Sequence, residues 1–521
     1  MVDLIIKNGF VIDGTGASGR MVDVAIQGQK IAAIGDCSAI EGAEILDAAG
    51  KVVTPGFVDM HSHADLSLPF APHAESAVHQ GITTVVTGQC GISPAPLADE
   101  SKEDFLKTLG KPAEDFDLEK ISSFGSILDF IRAQGISINM APLVGHGTIR
   151  VAVMGYSSAR PDEDQMEAMK NYAEAAMDEG AIGISTGLIY PPGYYSTTEE
   201  LIEITRPVAK KGGIYFSHVR NESENLLVSI EEERRIAQAT GVALQHSHYK
   251  AAGEANWPLA AQGLEAIERV RAEGIDITVD MYPYIASSNS LIDALPDWSR
   301  EGGLDQTLKR LQDPTQRKRM LENMQGQRWE KNLISSSPNP AYVGRYVSEL
   351  AEEAGKDPYE WVFDTLLEVN GETERIVFGM SEENVKMQIQ HELMMIGTDG
   401  YGIPPAGPLS EGAPHPRNFG TFPRVLGKYV REEGILTLEQ AIWKMTGFPA
   451  RKLGWTDRGT LQVGRYADLV IFDAGQVIDR ATFIKPQQYP DGIEQVIVNG
   501  NFVIRDGKHT YARSGLVLGR G

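Results

Sequence analysis

The chain has 521 residues, of which 42% are hydrophobic and 23% are charged, a composition typical of a folded enzyme and not of a disordered protein. Its 48 basic and 71 acidic residues leave a net charge of −23, which argues against binding to nucleic acid or to an anionic membrane. Two cysteines, Cys37 and Cys90, exclude a disulfide framework. Neither a signal peptide nor an apolar run of membrane-spanning length is visible, so we expect a cytoplasmic protein.

Both ends of the chain have the pattern of short β-strands joined by tight turns. Near the N-terminus, apolar runs such as 4–9 are punctuated by Asn-Gly and Asp-Gly pairs, which favour hairpins. Similar runs occur at 467–473 and 495–507. Because neither end has enough strands to cover its own apolar face, we expect residues 1–55 and 456–521 to form one small β-sandwich.

Between the two ends, apolar runs alternate with helical segments. The runs lie at 57–60, 83–86, 140–144, 181–184, 213–216, 242–244, 277–280 and 393–396. Eight such units predict an α/β fold, a (β/α)₈ TIM barrel over residues 56–455. The seventh and eighth runs are separated by about 110 residues, far more than a connection needs, so we assign roughly 291–345 to an insertion that could act as a lid.

Potential metal ligands follow several of these runs, where a parallel barrel carries its active site. They are His61 and His63 after the first run, Cys90 after the second, His218 after the fifth, His246 and His248 after the sixth, and Asp399 after the eighth. Imidazole, thiolate and carboxylate groups suit Zn²⁺. A single strand-end histidine is more often structural, but ligand types at five strand ends indicate a metal site. Residues two apart on a strand point the same way, so the pattern does not separate His246 from His248.

Two longer segments resemble the amidohydrolase superfamily. Residues 53–63, Val-Thr-Pro-Gly-Phe-Val-Asp-Met-His-Ser-His, are similar to its first-strand signature. Residues 459–473 are similar to its return strand into the β-sandwich, and the resemblance covers essentially the whole chain. It implies a metal-dependent hydrolase on a TIM barrel.

Within that superfamily, the chain most resembles the N-acyl-D-amino acid deacylases, or D-aminoacylases. That branch carries a cysteine after the second strand, here Cys90 in Gly-Gln-Cys-Gly-Ile-Ser. Many other relatives bridge two metals with a carboxylated lysine after strand four, but residues 185–193 contain no lysine. Further similar segments lie at 144–150, 247–250, 282–288 and 415–424.

The resemblance implies two metal sites. The tightly bound Zn²⁺ would be held by Cys90, His218 and His248. A second, weaker ion would be held by His61, His63 and Asp399, with Cys90 as a potential bridge. His248 is preferred to His246 because the family pattern is Ser-His-x-Lys.

The expected reaction is hydrolysis of an N-acyl-D-amino acid to a carboxylate and a free D-amino acid. Metal-bound hydroxide would attack the amide, with Asp399 as general base and then general acid. Tyr190 would donate a hydrogen bond to the amide oxygen, although a lining role is as compatible with its type. The small-molecule substrate's α-carboxylate would be bound by Arg417, assisted by Lys250, Tyr282 and Ser288.

The sequence also bears on the side chain of the substrate. No basic residue lies between Ser288 and Arg300, which favours substrates with apolar or neutral D-amino acid side chains. Two alternatives stay open within the superfamily: a dipeptidase acting on D-residues and a cyclic amidase. The missing strand-four lysine argues against the cyclic amidase. A non-catalytic scaffold on the same fold is a third alternative, and the sequence leaves the oligomeric state, a homo-oligomer included, undecided.

Overall fold

A barrel of eight parallel strands forms the centre of the protein, a computed structural model that describes residues 2–97, 121 and 123–521. The strands are Phe57–Asp59, Ile82–Thr87, Asn139–Pro142 continued by Val144–Gly145, Gly183–Gly187, Ile214–His218, Ala243–His246, Ile277–Met281 and Met394–Ile396. Each pairs in parallel with the next. The Met60 N–H donates to the Ile396 carbonyl (3.2 Å) and closes the eighth strand on the first. The predicted TIM barrel is therefore confirmed.

Helices surround the barrel, because its strands are apolar on both faces and must be covered on the outside. The longer ones are Phe124–Gln134, His146–Met154, Glu163–Glu179, Thr198–Lys210, Leu226–Thr240, Leu259–Ala272 and Glu382–Gln390. Shorter ones are Glu75–Val78, Arg417–Arg424, Val425–Glu432, Leu438–Met445 and Gly447–Lys452. Helix Glu163–Glu179 begins at a capping box, in which Asp162 accepts from the Gln165 N–H (2.8 Å).

The two chain ends form a β-sandwich beside the barrel, as predicted. One sheet has four strands in the order Lys30–Gly35, Asp23–Gln27, Leu4–Lys7 and Glu44–Asp47. The other has seven, in the order Lys508–His509, Asn501–Arg505, Ile493–Val498, Leu469–Phe472, Val52–Pro55, Phe10–Val11 and Arg20–Met21. The ends meet where Leu469 pairs with Pro55 in an antiparallel register, and side chains such as Ile26, Val53 and Ile497 fill one shared core.

A separate small layer lies between the seventh and eighth barrel strands. Its antiparallel sheet contains Ser287–Ser290, Asn332–Ser336 and Glu374–Val377, and its helices are Leu304–Gln312, Pro314–Asn323, Val347–Glu353 and Pro358–Glu368. It has its own core around Trp329, Trp361 and Phe363. Residues 291–345, the predicted insertion, lie inside this layer, which reaches Val377 because the last strand pairs with both others. Among the described residues, no helix is long and apolar enough to cross a membrane.

Candidate metal centre and active site

The predicted ligands converge at the C-terminal end of the barrel in two groups that share one residue. In each group the potential ligand atoms lie within 4.8 Å of one another; the groups are His61, His63, Cys90 and Asp399, and Cys90, His218 and His248. Cys90 Sγ lies 3.4 Å from His61 Nε2 and 3.4 Å from His248 Nε2. The sulfur therefore stands where a ligand common to two ions would stand.

Three residues of these groups have a left-handed backbone. The φ angles are +54° at Cys90, +33° at His248 and +49° at Asp399. Residues with a Cβ rarely adopt such angles, which cost on the order of 1–3 kcal/mol each and cluster at functional sites. Here they turn the chain sharply just beyond a strand, so that the three side chains face one another.

His246 and His248 point in different directions, which corrects the expectation that they share a side. His246 Nδ1 lies 2.8 Å from Glu233 Oε2, on the surrounding helix Leu226–Thr240. His248 faces Cys90 at the barrel mouth. The strand ends at His246 and the positive φ of His248 breaks the two-residue alternation.

Asp399 sits between two histidines and an arginine. Its Oδ1 lies 3.1 Å from His63 Nε2 and 3.6 Å from His61 Nε2, and its Oδ2 lies 2.7 Å from Arg417 Nη1. Burial opposes ionisation, but Arg417 and His63 hold the pKa of Asp399 well below its usual value. The carboxylate is therefore ionised and able to accept a proton.

The composition of the cluster fits a divalent metal ion. Burial, followed by the charge of Asp399, raises the pKa of the Cys90 thiol well above its usual value. His218 Nδ1 is buried and has no hydrogen-bond partner among the described residues. A cation coordinated here would satisfy that nitrogen and stabilise the thiolate, and this set of nitrogen, sulfur and oxygen donors is the one zinc prefers.

Glu222 is a site residue that the sequence did not reveal. Its Oε1 lies 2.9 Å from His248 Nδ1 and 2.5 Å from Lys250 Nζ, and its Oε2 lies 3.4 Å from His218 Nε2. Burial would raise the pKa of Glu222, yet Lys250 and the two histidines hold it well below its usual value. Its only sequence signal is an acidic residue four positions after a strand-end histidine.

Two further buried carboxylates brace the ligands and also escaped the sequence analysis. Asp280 Oδ1 accepts from the His248 N–H (2.8 Å) and lies 3.3 Å from His61 Nδ1. Asp59 Oδ1 accepts from the backbone N–H groups of His61 (3.1 Å) and Thr398 (2.8 Å). Both lie on barrel strands close to their C-terminal ends, so strand position was the available signal.

The predicted substrate-binding side chains lie around this cluster. The Tyr190 ring is 5.1 Å from the His218 ring. Tyr282 has the Arg417 guanidinium 4.8 Å and the Lys250 ammonium 5.8 Å from its ring centre. The Tyr282 hydroxyl is buried without a hydrogen-bond partner among the described residues. Two cations, a free hydroxyl and an aromatic ring thus adjoin the candidate metal ligands.

Ser288 and the basic residues near it belong to the small layer. The Ser288 hydroxyl donates to the Arg375 carbonyl (3.2 Å), on the adjacent strand. Arg300 Nη1 lies 2.6 Å from Asp293 Oδ1. The Arg375 guanidinium donates to Asn289 Oδ1 (3.1 Å) and to an amide oxygen on strand Asn332–Ser336 (2.7 Å). Both guanidinium groups therefore already bind acceptors of the protein, although Arg300 Nε has no hydrogen-bond partner among the described residues.

Comparisons with known proteins agree with this geometry. Residues 44–504 match the model of the Amidohydrolase family. The chain is 39% identical to D-aminoacylase of Alcaligenes xylosoxydans xylosoxydans, covering 99% of this chain and 98% of that protein. It is 38% identical to N-acyl-D-glutamate deacylase of the same organism, covering 100% and 97%. The crystal structure of N-acyl-D-glutamate deacylase from Bordetella bronchiseptica, complexed with zinc and a phosphonate inhibitor, superposes with a TM-score of 0.85 at 35% identity over 100% of both chains.

Proposed function

The chain belongs to the amidohydrolase family, among the D-aminoacylases, and we propose that it is a zinc-dependent enzyme that hydrolyses N-acyl-D-amino acids to a carboxylate and a free D-amino acid. The observation that carries the proposal is the position of Cys90, shared by both groups of potential ligands. Residues 185–193 contain no lysine that could bridge two ions, so the resemblance assigns that place to Cys90. The substrate is a small molecule, and the cytoplasmic location stays a prediction.

The tight zinc ion would be held by Cys90, His218 and His248, and a second, weaker ion by His61, His63 and Asp399 with Cys90 as a bridge. When bound, zinc lowers the pKa of water and polarises an amide carbonyl. Asp399 then takes the proton of the attacking water and passes it to the departing amine. The lowered pKa of Asp399 keeps the carboxylate in the form that accepts the first proton, and the protonated carboxyl formed in that step is the donor in the second.

Arg417 would bind the substrate's α-carboxylate by exchanging partners. In the protein alone it pairs with Asp399 at 2.7 Å. A substrate carboxylate offers the guanidinium a second acceptor with matching planar geometry. As Arg417 turns to the substrate, the negative charge of Asp399 is less compensated, so the carboxylate becomes a stronger base when the base is needed.

The remaining predicted residues would orient the substrate. Tyr282 adjoins both Arg417 and Lys250, and Lys250 and Tyr282 would share the α-carboxylate with Arg417. Ser288 would add a hydroxyl from the small layer, and Tyr190, beside the His218 ring, would donate to the amide oxygen as charge develops there. Three fixed points, at the amide, the carboxylate and the side chain, distinguish D from L configuration.

The side chain of the preferred D-amino acid would be apolar or neutral. Arg300 is the first basic residue after Ser288, and its charge is balanced by Asp293 at 2.6 Å. Arg375 is also occupied by amide oxygens. A second substrate carboxylate would have to compete with these partners, at a cost in binding free energy.

The experiment is a comparison of kcat/KM for N-acetyl-D-leucine, N-acetyl-L-leucine and N-acetyl-D-glutamate, with and without a zinc chelator. We expect hydrolysis of the D-leucine derivative, little of its L-enantiomer, and chelator sensitivity. Loss of stereochemical preference would contradict the D-aminoacylase assignment. A clear preference for the glutamate derivative would contradict only the proposed side-chain pocket.

A further inference from the structure

Among the described residues, Glu222 is the carboxylate that contacts both histidines of the tight group and the lysine beside the substrate position. Its Oε1 lies 2.9 Å from His248 Nδ1 and 2.5 Å from Lys250 Nζ. Its Oε2 lies 3.4 Å from His218 Nε2. We propose, on the basis of the proposed function, that Glu222 is a positioning residue that sets the ring protons of His218 and His248 and couples metal binding to the availability of Lys250.

The ring orientations assign a task to each nitrogen. His248 turns Nε2 towards Cys90 Sγ (3.4 Å) and Nδ1 towards Glu222. His218 turns Nε2 towards Glu222 Oε2 at 3.4 Å, and neither of its ring nitrogens has a hydrogen-bond partner among the described residues. A ligating histidine usually donates its second N–H to a carboxylate or carbonyl, which fixes the tautomer and makes the ligand more basic. Glu222 is the carboxylate that lies close enough to His218 Nε2 and His248 Nδ1 to fill that role for both rings.

Lys250 competes with Glu222 for the same nitrogen. Its Nζ lies 2.8 Å from His248 Nδ1, and a neutral imidazole nitrogen either accepts a hydrogen bond or donates one. Without a metal, Nδ1 can accept from Lys250. With Nε2 engaged by a metal, Nδ1 must carry the proton and donate to Glu222, so Lys250 loses one acceptor. One ammonium N–H then becomes available to a substrate carboxylate.

The loop that carries Glu222 is fixed independently of the metal. The Glu222 carbonyl accepts from the Ala252 N–H (2.7 Å), which ties this loop to the loop after the sixth strand. Asn221 Oδ1 accepts from the N–H groups of Ser223 (2.9 Å) and Asn225 (3.0 Å). A carboxylate held in this way is preorganised for the histidines and does not have to be ordered by them.

The first test measures the zinc affinity of metal-free protein by competition with a chromophoric chelator, a readout that needs no turnover. Glu222→Gln keeps the shape of the side chain but removes its charge, and we expect zinc binding to weaken by about 10- to 100-fold. The matched control is Glu224→Gln, an exposed neighbour on the same loop, which should leave the affinity unchanged. Wild-type affinity in Glu222→Gln would overturn the proposal.

A second variant distinguishes the loss of the Glu222 carboxylate from the effect of the unpaired charge on Lys250. Glu222→Gln strands the buried Lys250 ammonium, which could itself repel a cation. In Glu222→Gln with Lys250→Met that charge is gone, and we expect the loss of zinc affinity to persist. Recovery of wild-type affinity would assign the effect to Lys250 and overturn the role of Glu222 as partner of the histidines.

Kinetics at saturating zinc test the link to the substrate. With both sites filled, Glu222→Gln should raise KM for N-acetyl-D-leucine more than it lowers kcat, because Lys250 is misplaced while Asp399 is untouched. An unchanged KM would overturn the link to Lys250. If wild-type protein binds zinc as expected yet hydrolyses no N-acyl-D-amino acid, the proposed function fails while the zinc titration still decides the role of Glu222.

Discussion

At the scale of single residues, Cys90 is the side chain that connects the two groups of potential metal ligands. Its sulfur faces His61 and His248 at the same distance of 3.4 Å, and it belongs to both ligand groups. A buried thiol with a raised pKa is a poor ligand until a cation stabilises its ionised form. Zinc binding and deprotonation of Cys90 must therefore occur together, with release of a proton.

Cys90→Ala should abolish most zinc binding, because both groups lose their shared ligand. We expect the zinc affinity to fall by more than the roughly 10- to 100-fold typical of an outer partner, and hydrolysis to fall with it. Metal analysis of purified protein measures the effect. Cys37→Ala is the matched control, since Cys37 is also buried but packs against Ile5 and Ala25 of the four-stranded sheet. Full zinc content in Cys90→Ala would contradict the ligand assignment.

At the scale of elements, the site depends on how the first and eighth barrel strands are joined. Asp59 accepts from the Thr398 hydroxyl (2.6 Å) and from the backbone N–H groups of Thr398 and His61. One carboxylate thus fixes the backbone next to His61 on one strand and next to Asp399 on the other. The closure of the barrel and the spacing of these two ligands share one cause.

Thr398→Val should loosen this junction. The substitution keeps the side-chain shape but removes a buried hydrogen bond to a carboxyl group, which should lower the free energy of unfolding by about 1–3 kcal/mol and weaken zinc binding. Urea denaturation and zinc titration are the measurements. Thr205→Val is the control, because the Thr205 hydroxyl is buried without a partner in the described part of the chain. Equal stability losses in the two variants would refute a special role for the junction.

At the scale of the whole molecule, the C-terminal part of the chain packs on the barrel through an aromatic contact. The rings of His79 and Tyr489 are stacked 3.6 Å apart, and the Tyr489 hydroxyl donates to Glu75 Oε2 (2.6 Å). The His509 ring lies 6.0 Å from that of His79. Protonating His79 or His509 would place positive charge at this buried contact between the barrel and the C-terminal part of the chain.

The burial of His79 at this contact should make the folded protein less stable in acid. Burial lowers the pKa of His79 to about 4, against about 6.5 in an unfolded chain. Between these values the unfolded chain binds a proton that the folded chain does not, so stability falls as the pH falls, by up to about 3 kcal/mol. His79→Phe keeps the ring and should lose less stability between pH 7 and pH 4, as measured by chemical denaturation. An unchanged pH dependence would exclude His79 as a cause.

The barrel and most of the candidate ligands could be predicted because short segments of the sequence are enough to identify both. Eight apolar runs predict the strands. Parallel strands bring their C-terminal ends to one face of the barrel, so residues that directly follow the strands lie close together. The same reasoning could not reach Glu222, which lies in a loop four residues beyond its strand. Its partners Lys250 and His248 are distant in sequence, and no local pattern encodes that contact.

By itself, the sequence determined the architecture and the chemical types at the site, because hydrophobic periodicity and ligand identity are properties of short segments. The family pattern preferred His248 to His246 as the partner of Cys90, but only the tertiary structure showed why the two side chains diverge. The alternation rule assumes an extended strand, and the left-handed turn at His248 ends that strand. The tertiary structure also placed Arg417 on Asp399 and Glu222 between the two histidines and Lys250, since such pairings depend on loop paths that no residue specifies alone.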